Sequence, residues 1–164
     1  MHKHSNVFNV SGMPGRMLAL RLGPGADLVS GIISACKENG IKAGGIMSML
    51  GSLTEAKFFA VAADPSSKTG AGFSEKKVVQ GPVEFLSGQG IICDKDGEMF
   101  IHLHGVMSDV HSNVFGGHIE QGDCTVANTF EAIILEGQDF IFSREVDKVS
   151  GVTVSFPKKS KGRS

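Results

Sequence analysis

Residues 99–131 read MFIHLHGVMSDVHSNVFGGHIEQGDCTVANTFE and contain four of the six histidines of the chain. The opening run MFIHLH alternates in the manner that predicts a β-strand. Side chains two residues apart in a strand project from the same face, roughly 7 Å apart along the chain. We therefore expect His102 and His104 to share one face of this strand and the apolar residues between and before them to share the other.

A third histidine, His118, follows a Gly-Gly pair and is far enough from His104 for the chain to turn and form a neighbouring strand. Three imidazoles placed in this way can bind a divalent metal and leave the fourth tetrahedral position to water or substrate, as at catalytic zinc. The alternative is that each histidine is a half-buried polar residue with one hydrogen bond, and the spacing leaves both interpretations open. His111 lies among turn-forming residues and is expected in a solvated loop.

The composition predicts one globular domain. Its 164 residues are 41% hydrophobic, which is sufficient for a single packed core. The net charge of −1 provides no overall electrostatic attraction to nucleic acid or to a membrane surface. With 22 glycines, 11 phenylalanines and neither Trp nor Tyr, the chain favours a fold rich in strands and turns.

The cysteines and the hydrophobic runs predict a cellular compartment. Cys36, Cys93 and Cys124 lie far apart and include no Cys-x-x-Cys pair, which favours free thiols in a reducing environment. No run resembles a signal peptide or approaches the roughly 18 consecutive apolar residues of a membrane span. We expect a soluble, cytoplasmic protein with no membrane partner.

The pattern of apolar residues predicts one long amphipathic helix among many short strands. The helix begins after an N-cap at Asp27, ends at Asn39-Gly40, and has its apolar positions at Val29, Ile32, Ile33 and Cys36. Strands are predicted at 16–22, in two segments of 43–63 that join near Gly51-Ser52, and at 83–93, 99–104, 125–135 and 140–145. The predicted class is α+β, with a largely antiparallel sheet and the main helix packed on it.

The remaining segments define the predicted domain organisation. Residues 1–16 form an N-terminal arm, in which His2 and His4 are expected on a mobile terminus, and residues 17–156 form the single domain. Within the domain, residues 64–77 are rich in Pro, Ser, Gly and Lys and are expected to form a long surface loop. Residues 157–164 form a basic tail that is expected to be solvated, although such tails can also contact phosphate groups.

The stretch HLHGVMSD followed by VFGGHIEQGDCTVANTFEAIIL resembles the signature block of the PPC (plants and prokaryotes conserved) domain family. LALRLGPGADLVSGIISACKENGIKAGGIMSMLGSLTEAKFF is similar to the opening half of that family, and GPVEFLSGQGII is similar to its central strand segment. The resemblance covers roughly residues 17–142. In land plants the domain follows AT-hook motifs in nuclear DNA-binding proteins, whereas in bacteria and archaea it stands alone.

The resemblance implies a homotrimer of α/β subunits and, in several prokaryotic members, a metal on histidines that match His102, His104 and His118, in a cleft close to a subunit boundary. Three other polar positions of the family pattern are also present, at Arg21, Asp109 and Glu131. One position departs from the pattern, because Ser112 stands where the family usually has a glycine in the turn after Ser-Asp. We expect Asn113 or a rearranged turn to supply any left-handed conformation there.

The first functional hypothesis is a metal-dependent small-molecule site. A divalent ion, expected to be zinc, can lower the pKa of a bound water or polarise a carbonyl group. Glu131 and Asp109 are the candidate catalytic residues, as general base or as groups that orient the metal ligands, and Arg21 is the candidate contact for an anionic ligand. Glu131 can equally be an ordinary residue of the sheet surface, and the sequence leaves the reaction class open.

The second hypothesis is a trimeric, DNA-associated regulatory or protein-interaction module in which the metal is structural. It rests on the plant relatives, in which the domain mediates trimerisation and partner binding. The near-neutral charge argues against it, as does the absence of the Arg-Gly-Arg-Pro core of an AT-hook.

Overall fold

The computed structural model describes residues 7–160. His2 and His4 of the predicted arm, and the last four residues of the predicted tail, lie outside this range. The elements follow one another as β1 (Pro14–Leu22), α1 (Leu28–Glu38), β2 (Gly44–Phe58), β3 (Val61–Ala63), β4 (Ala71–Phe73), β5 (Lys77–Lys95), β6 (Glu98–Ser108), β7 (Val114–Ile119), β8 (Cys124–Gly137), β9 (Phe140–Val146) and β10 (Thr153–Lys159).

The predicted α+β class with a largely antiparallel sheet is wrong. Strands hold 62% of the structure and helix only 7%, and the sheet is mixed. The helix is short, at 11 residues, whereas β5 alone runs for 19. Glycine does not interrupt the strands as the sequence predicts, because β2 continues through Gly51 as one strand instead of two. The sheet is mixed because β9 joins β5 in parallel, through a bridge between Ser143 and Asp94.

The main sheet has eight strands, six of them in the order β1-β8-β2-β5-β6-β7. β9 attaches beside β5, and β10 pairs with β9. β3 and β4 form a separate hairpin, so the segment predicted as a long loop contains a strand. Among residues 7–160, no helix is long and apolar enough to cross a membrane.

The helix α1 packs on the inner face of the sheet, where it buries Leu28, Val29, Ile32 and Cys36 against the core. Its predicted N-cap is confirmed, because Oδ1 of Asp27 accepts a hydrogen bond from the backbone N–H of Ser30 at 2.8 Å. The other carboxylate oxygen of Asp27 accepts from the N–H of Gly122, at 3.0 Å, in the turn between β7 and β8. The same side chain therefore starts the helix and joins it to the sheet.

The two faces of β6 are as predicted. Ile101, Leu103 and Met107 are buried in the core, and the residues between them, including His102 and His104, project from the outer face. His102 and His104 therefore lie on the face of the sheet opposite the core.

The sheet curls so that β7 reaches the end of β2. The backbone groups of Phe59, which follows β2, and of His118 exchange two hydrogen bonds of 2.9 Å. The Gly-Gly pair permits this approach: a Cβ on Gly117 would overlap the carbonyl oxygen of Phe59, and one on Gly116 would overlap that of Gly105. These glycines are therefore required for the position of β7.

We expect Gly117→Ala to lower the free energy of unfolding by about 1–3 kcal/mol, because backbone must move to admit the methyl group. Gly23→Ala is the matched control, since a Cβ there meets no atom within 4 Å, and its change should stay within about 0.5 kcal/mol. Urea denaturation of the two variants measures both values. Equal midpoints for the two variants would contradict the close approach of β7.

The three cysteines are free and buried, as the sequence predicts for free thiols. Burial raises the pKa of Cys36 to about 11 and that of Cys124 to about 12, and it also raises the pKa of Cys93. Because the thiolate is the reactive form, a thiol with a raised pKa stays protonated and unreactive at pH 8.

We expect an aromatic disulfide reagent at pH 8 to find no fast-reacting thiol in the native protein and three in guanidinium chloride. Absorbance of the released thiolate measures the count. A cysteine that reacts in the native protein as fast as a small thiol would show that at least one of the three sites is open to solvent.

Candidate metal centre

Two neighbouring strands carry the three histidines to one place. His102 and His104 are two residues apart on β6, and His118 on β7 stands directly opposite His104 in the antiparallel register. The predicted shared face of the first two rings, and the predicted placement of the third on an adjacent strand, are both confirmed. Gly116 and Gly117 lie within β7, where they pair with Val106 and Gly105 in the register that aligns His118 with His104.

The three rings form a compact triangle. Their centroids lie 5.0, 5.2 and 5.2 Å apart, and one donor nitrogen from each ring lies within 4.8 Å of the others. The Nε2 atoms of His102 and His104 are 3.1 Å apart. Two nitrogens that bind one zinc ion tetrahedrally are about 3.3 Å apart, given metal–nitrogen bonds of about 2.0–2.1 Å. The residues present therefore fit a divalent metal of the zinc type.

Burial differs among the three histidines in a way that suits a metal site. His118 is buried, with 6% of its surface exposed, whereas His104 is exposed and His102 is intermediate. The buried Nδ1 of His118 has no hydrogen-bond partner among the described residues. A buried imidazole nitrogen without a hydrogen bond is unfavourable unless it binds another group, such as a metal ion. His118 therefore forms the buried side of the triangle, and His104 forms the side exposed to solvent.

The environment favours neutral imidazoles. Burial, followed by the charges of His118, His104 and Arg144, lowers the pKa of His102 to about 4. Burial also lowers the pKa of His118, and His104 and Arg144 lower it further. Neutral imidazole is the form that binds metal, so these two rings keep a free lone pair at neutral pH.

Sequence reasoning missed three side chains that border the histidines. The ring of Phe73, on β4, lies 5.6 Å from that of His118, and Oε1 of Glu120 lies 4.0 Å from its Nε2. Glu120 could have been found, because it is two residues from His118 and shares its face. Phe73 and Arg144 carried no such signal, since both reach the site through contacts between residues distant in sequence.

The other predicted site residues lie elsewhere on the sheet. Arg21 on β1 pairs in register with Glu131 on β8, and its Nε donates to Oγ1 of Thr129 at 3.0 Å. Two strands, β2 and β5, separate β8 from the histidine strand. At about 4.8 Å per strand, Glu131 lies on the order of 14 Å from the histidine strand, measured across the sheet.

Asp109 organises the turn that follows β6. Its Oδ1 accepts hydrogen bonds from the backbone N–H of His111 and Asn113, at 2.8 and 2.9 Å. His111 is exposed, as predicted. The expectation that Asn113 or a rearranged turn supplies the left-handed conformation is wrong, because Ser112 itself adopts it, with φ of 64°. Asp109 and Glu131 line one hollow, but that hollow includes none of the three histidines.

A sequence model of the domain described as Plants and Prokaryotes Conserved (PCC) matches residues 9–138. The match covers most of the chain and includes all three histidines of the triangle. This protein therefore belongs to the plants and prokaryotes conserved domain family.

Solved structures support the same assignment. A metal-containing protein from Archaeoglobus fulgidus is 28% identical, with a TM-score of 0.76 over 92% of this chain and 99% of that one. A plant- and prokaryote-conserved protein from Pyrococcus horikoshii is 25% identical, with a TM-score of 0.76 over 94% of this chain and 100% of that one. Two structures below 25% identity, from Bacteroides thetaiotaomicron and Ralstonia eutropha, share the fold and are described as candidate DNA-binding proteins.

Among curated proteins, the bifunctional protein GlmU of Synechococcus sp. (strain JA-3-3Ab) is 29% identical over 136 residues. That alignment covers 83% of this chain but only 20% of GlmU. This chain therefore spans about a fifth of the length of that relative.

Proposed function

We propose that this protein holds one divalent metal ion, zinc by expectation, on His102, His104 and His118, and uses it to bind or transform a small anionic molecule. The observation that carries the proposal is the convergence of three imidazoles from two strands, with donor nitrogens within 4.8 Å of one another. The family relative described as metal-containing supports it.

The residues around the triangle have distinct parts in this proposal. A metal bound there would polarise a ligand oxygen or lower the pKa of a bound water. His118, buried and held by backbone hydrogen bonds to Phe59, would fix the position of the site. Glu120 stands close enough to orient a ligand or to accept a proton, and the exposed side of His104 leaves an approach from solution.

Within one chain, Glu131 and Arg21 lie three or more strands from the histidines, and Asp109 follows the far end of β6, five residues after His104. We propose that they contribute acid–base and anion-binding groups only where a neighbouring subunit brings them to the metal. Their roles therefore depend on assembly, which the isolated chain does not provide.

We expect about one divalent ion per chain in protein incubated with zinc and then desalted. His104→Ala should lose it, because two imidazoles bind zinc much more weakly than three. His111→Ala, which removes an exposed histidine from the turn between β6 and β7, should retain the metal. Elemental analysis by mass spectrometry measures the content. No metal in the wild type after incubation, or equal content in both variants, would refute the proposal.

The outer face of the sheet supports assembly as a homotrimer, which we also propose. Met17 on β1 is 70% exposed, and Met47 and Leu50 on β2, the second strand along, are 59% and 52% exposed, although their side chains are large and apolar. Several large apolar side chains exposed on one face are typical of a protein interface. Burying them between copies of the chain would remove their contact with water.

Light scattering coupled to gel filtration should give a mass of about 52 kDa, three times the chain mass of 17.3 kDa. Leu50→Lys should shift the mass towards that of the monomer, because a charge at this face resists burial. Val149→Lys, at an exposed position in the turn between β9 and β10, should leave the mass unchanged. A monomeric wild type at micromolar concentration would contradict the trimer.

The alternative function is a DNA-associated regulatory or protein-interaction module with a structural metal. The two fold relatives described as candidate DNA-binding proteins favour it. The basic end of the described chain favours it less, because Lys158 is already paired with Glu145. A steep salt dependence of binding to a generic DNA duplex would support this module. A metal-dependent affinity for a small acid would support the first function.

A further inference from the structure

A guanidinium group stands on the histidine face of the sheet. The Cζ atom of Arg144 lies 4.9 Å from the centre of the Phe100 ring. Phe100 is two residues before His102 on β6, so the two side chains share one face, about 7 Å apart along the strand. Arg144 therefore lies beside the histidine triangle and not on the core side of the sheet.

The position of Arg144 follows from the parallel attachment of β9. The bridge between Ser143 and Asp94 places β9 against the end of β5, next to the start of the histidine strand. β10 covers the same end, where Oγ of Ser155 lies 3.4 Å from the buried Sγ of Cys93. Arg144 pairs in register with Ser155, and its Nη1 donates to Oγ of Ser155 at 3.4 Å. The hairpin of β9 and β10 thus holds the guanidinium over Phe100.

The charge of Arg144 is not neutralised within residues 7–160. No carboxylate of that range lies within ion-pair distance of it, and its buried Nε donates to no hydrogen-bond acceptor. By contrast, Nε of Arg16 donates to the carboxylate of Glu136 at 3.0 Å. A guanidinium with no carboxylate partner can pair with a bound anion, and it would do so through its Nη groups because Nε is closed to solvent.

A second cation approaches the same ring. Nζ of Lys95 lies 5.9 Å from the centre of Phe100, and no carboxylate of the described range pairs with it either. One end of the histidine face therefore carries two positive charges, from Arg144 and Lys95.

We infer that Arg144, assisted by Lys95, binds the oxyanion group of a small ligand whose other end reaches the metal on the histidines. The inference rests on the proposed metal function and names the class of ligand for that site. The class is a small molecule with a carboxylate or phosphate group and a second oxygen a few bonds away. This spacing follows because Phe100, over which the guanidinium lies, and His102 are roughly 7 Å apart along β6. A guanidinium fork suits either oxyanion through paired hydrogen bonds. Arg144, and not Arg21, is the arginine that serves the site within one chain.

The test uses the protein loaded with Co²⁺, whose visible spectrum reports changes in its ligands, and succinate as the probe, because its two carboxylates are separated by two carbon atoms and can reach both groups. Succinate should change the spectrum of the wild type in a saturable way. Arg144→Gln should bind Co²⁺ with unchanged stoichiometry but weaken succinate binding by roughly 10- to 100-fold, as expected for the loss of a charge-assisted hydrogen bond. Arg144→Lys should give an intermediate loss, because it keeps the charge but not the fork.

Two further variants complete the design. Lys148→Gln makes the same change in charge at an exposed residue in the turn between β9 and β10 and should leave the succinate affinity unchanged. Lys95→Gln, at an exposed residue whose replacement should not disturb folding, should weaken succinate binding by a few-fold and remains informative if Arg144→Gln does not fold.

The outcomes separate the inference from the function on which it rests. Failure of the wild type to bind Co²⁺ would overturn the metal function, and the inference with it. Stoichiometric Co²⁺ with no spectral response to succinate would overturn the inference alone. Equal succinate affinities in the wild type, Arg144→Lys and Lys95→Gln would also overturn it, and the metal function would stand.

Discussion

The paired backbone hydrogen bonds between Phe59 and His118 are the constraint on which the site depends. They tie the last strand of the sheet path to the end of β2, and they are possible only because Gly117 carries no side chain at the point of closest approach. With β7 held there, His118 is buried and stands opposite His104. Without these hydrogen bonds, His102 and His104 on β6 would lack a third ligand, and no buried histidine would face them.

A second non-local contact determines the electrostatic character of that face. The parallel bridge between β9 and β5 makes the sheet mixed, which is why the predicted fold class was wrong. The same bridge sets the β9–β10 hairpin over Phe100 and places Arg144 beside the histidines. The parallel pairing of β9 with β5, which the predicted fold class did not include, thus also brings the guanidinium of Arg144 to the site.

The outer face of the sheet carries two groups of polar residues that one chain keeps apart. The histidines, Phe100 and Arg144 lie on and over β6, whereas Arg21 and Glu131 lie on β1 and β8, beyond two intervening strands. Apolar side chains such as Met47 and Leu50 occupy the surface between them and remain exposed. This arrangement is typical of a face that other copies cover, and assembly would then decide which polar groups meet the metal.

The sequence by itself determined the features that depend on local periodicity. Alternation in MFIHLH placed His102 and His104 on one face, and the capped 3.6-residue pattern located the helix after Asp27, because both follow from backbone geometry over a few residues. The tertiary structure alone decided the length of β2 through Gly51, the left-handed conformation of Ser112, and the positions of Phe73 and Arg144. These depend on pairing between segments far apart in the chain, and such pairing leaves no periodic trace in the segments themselves.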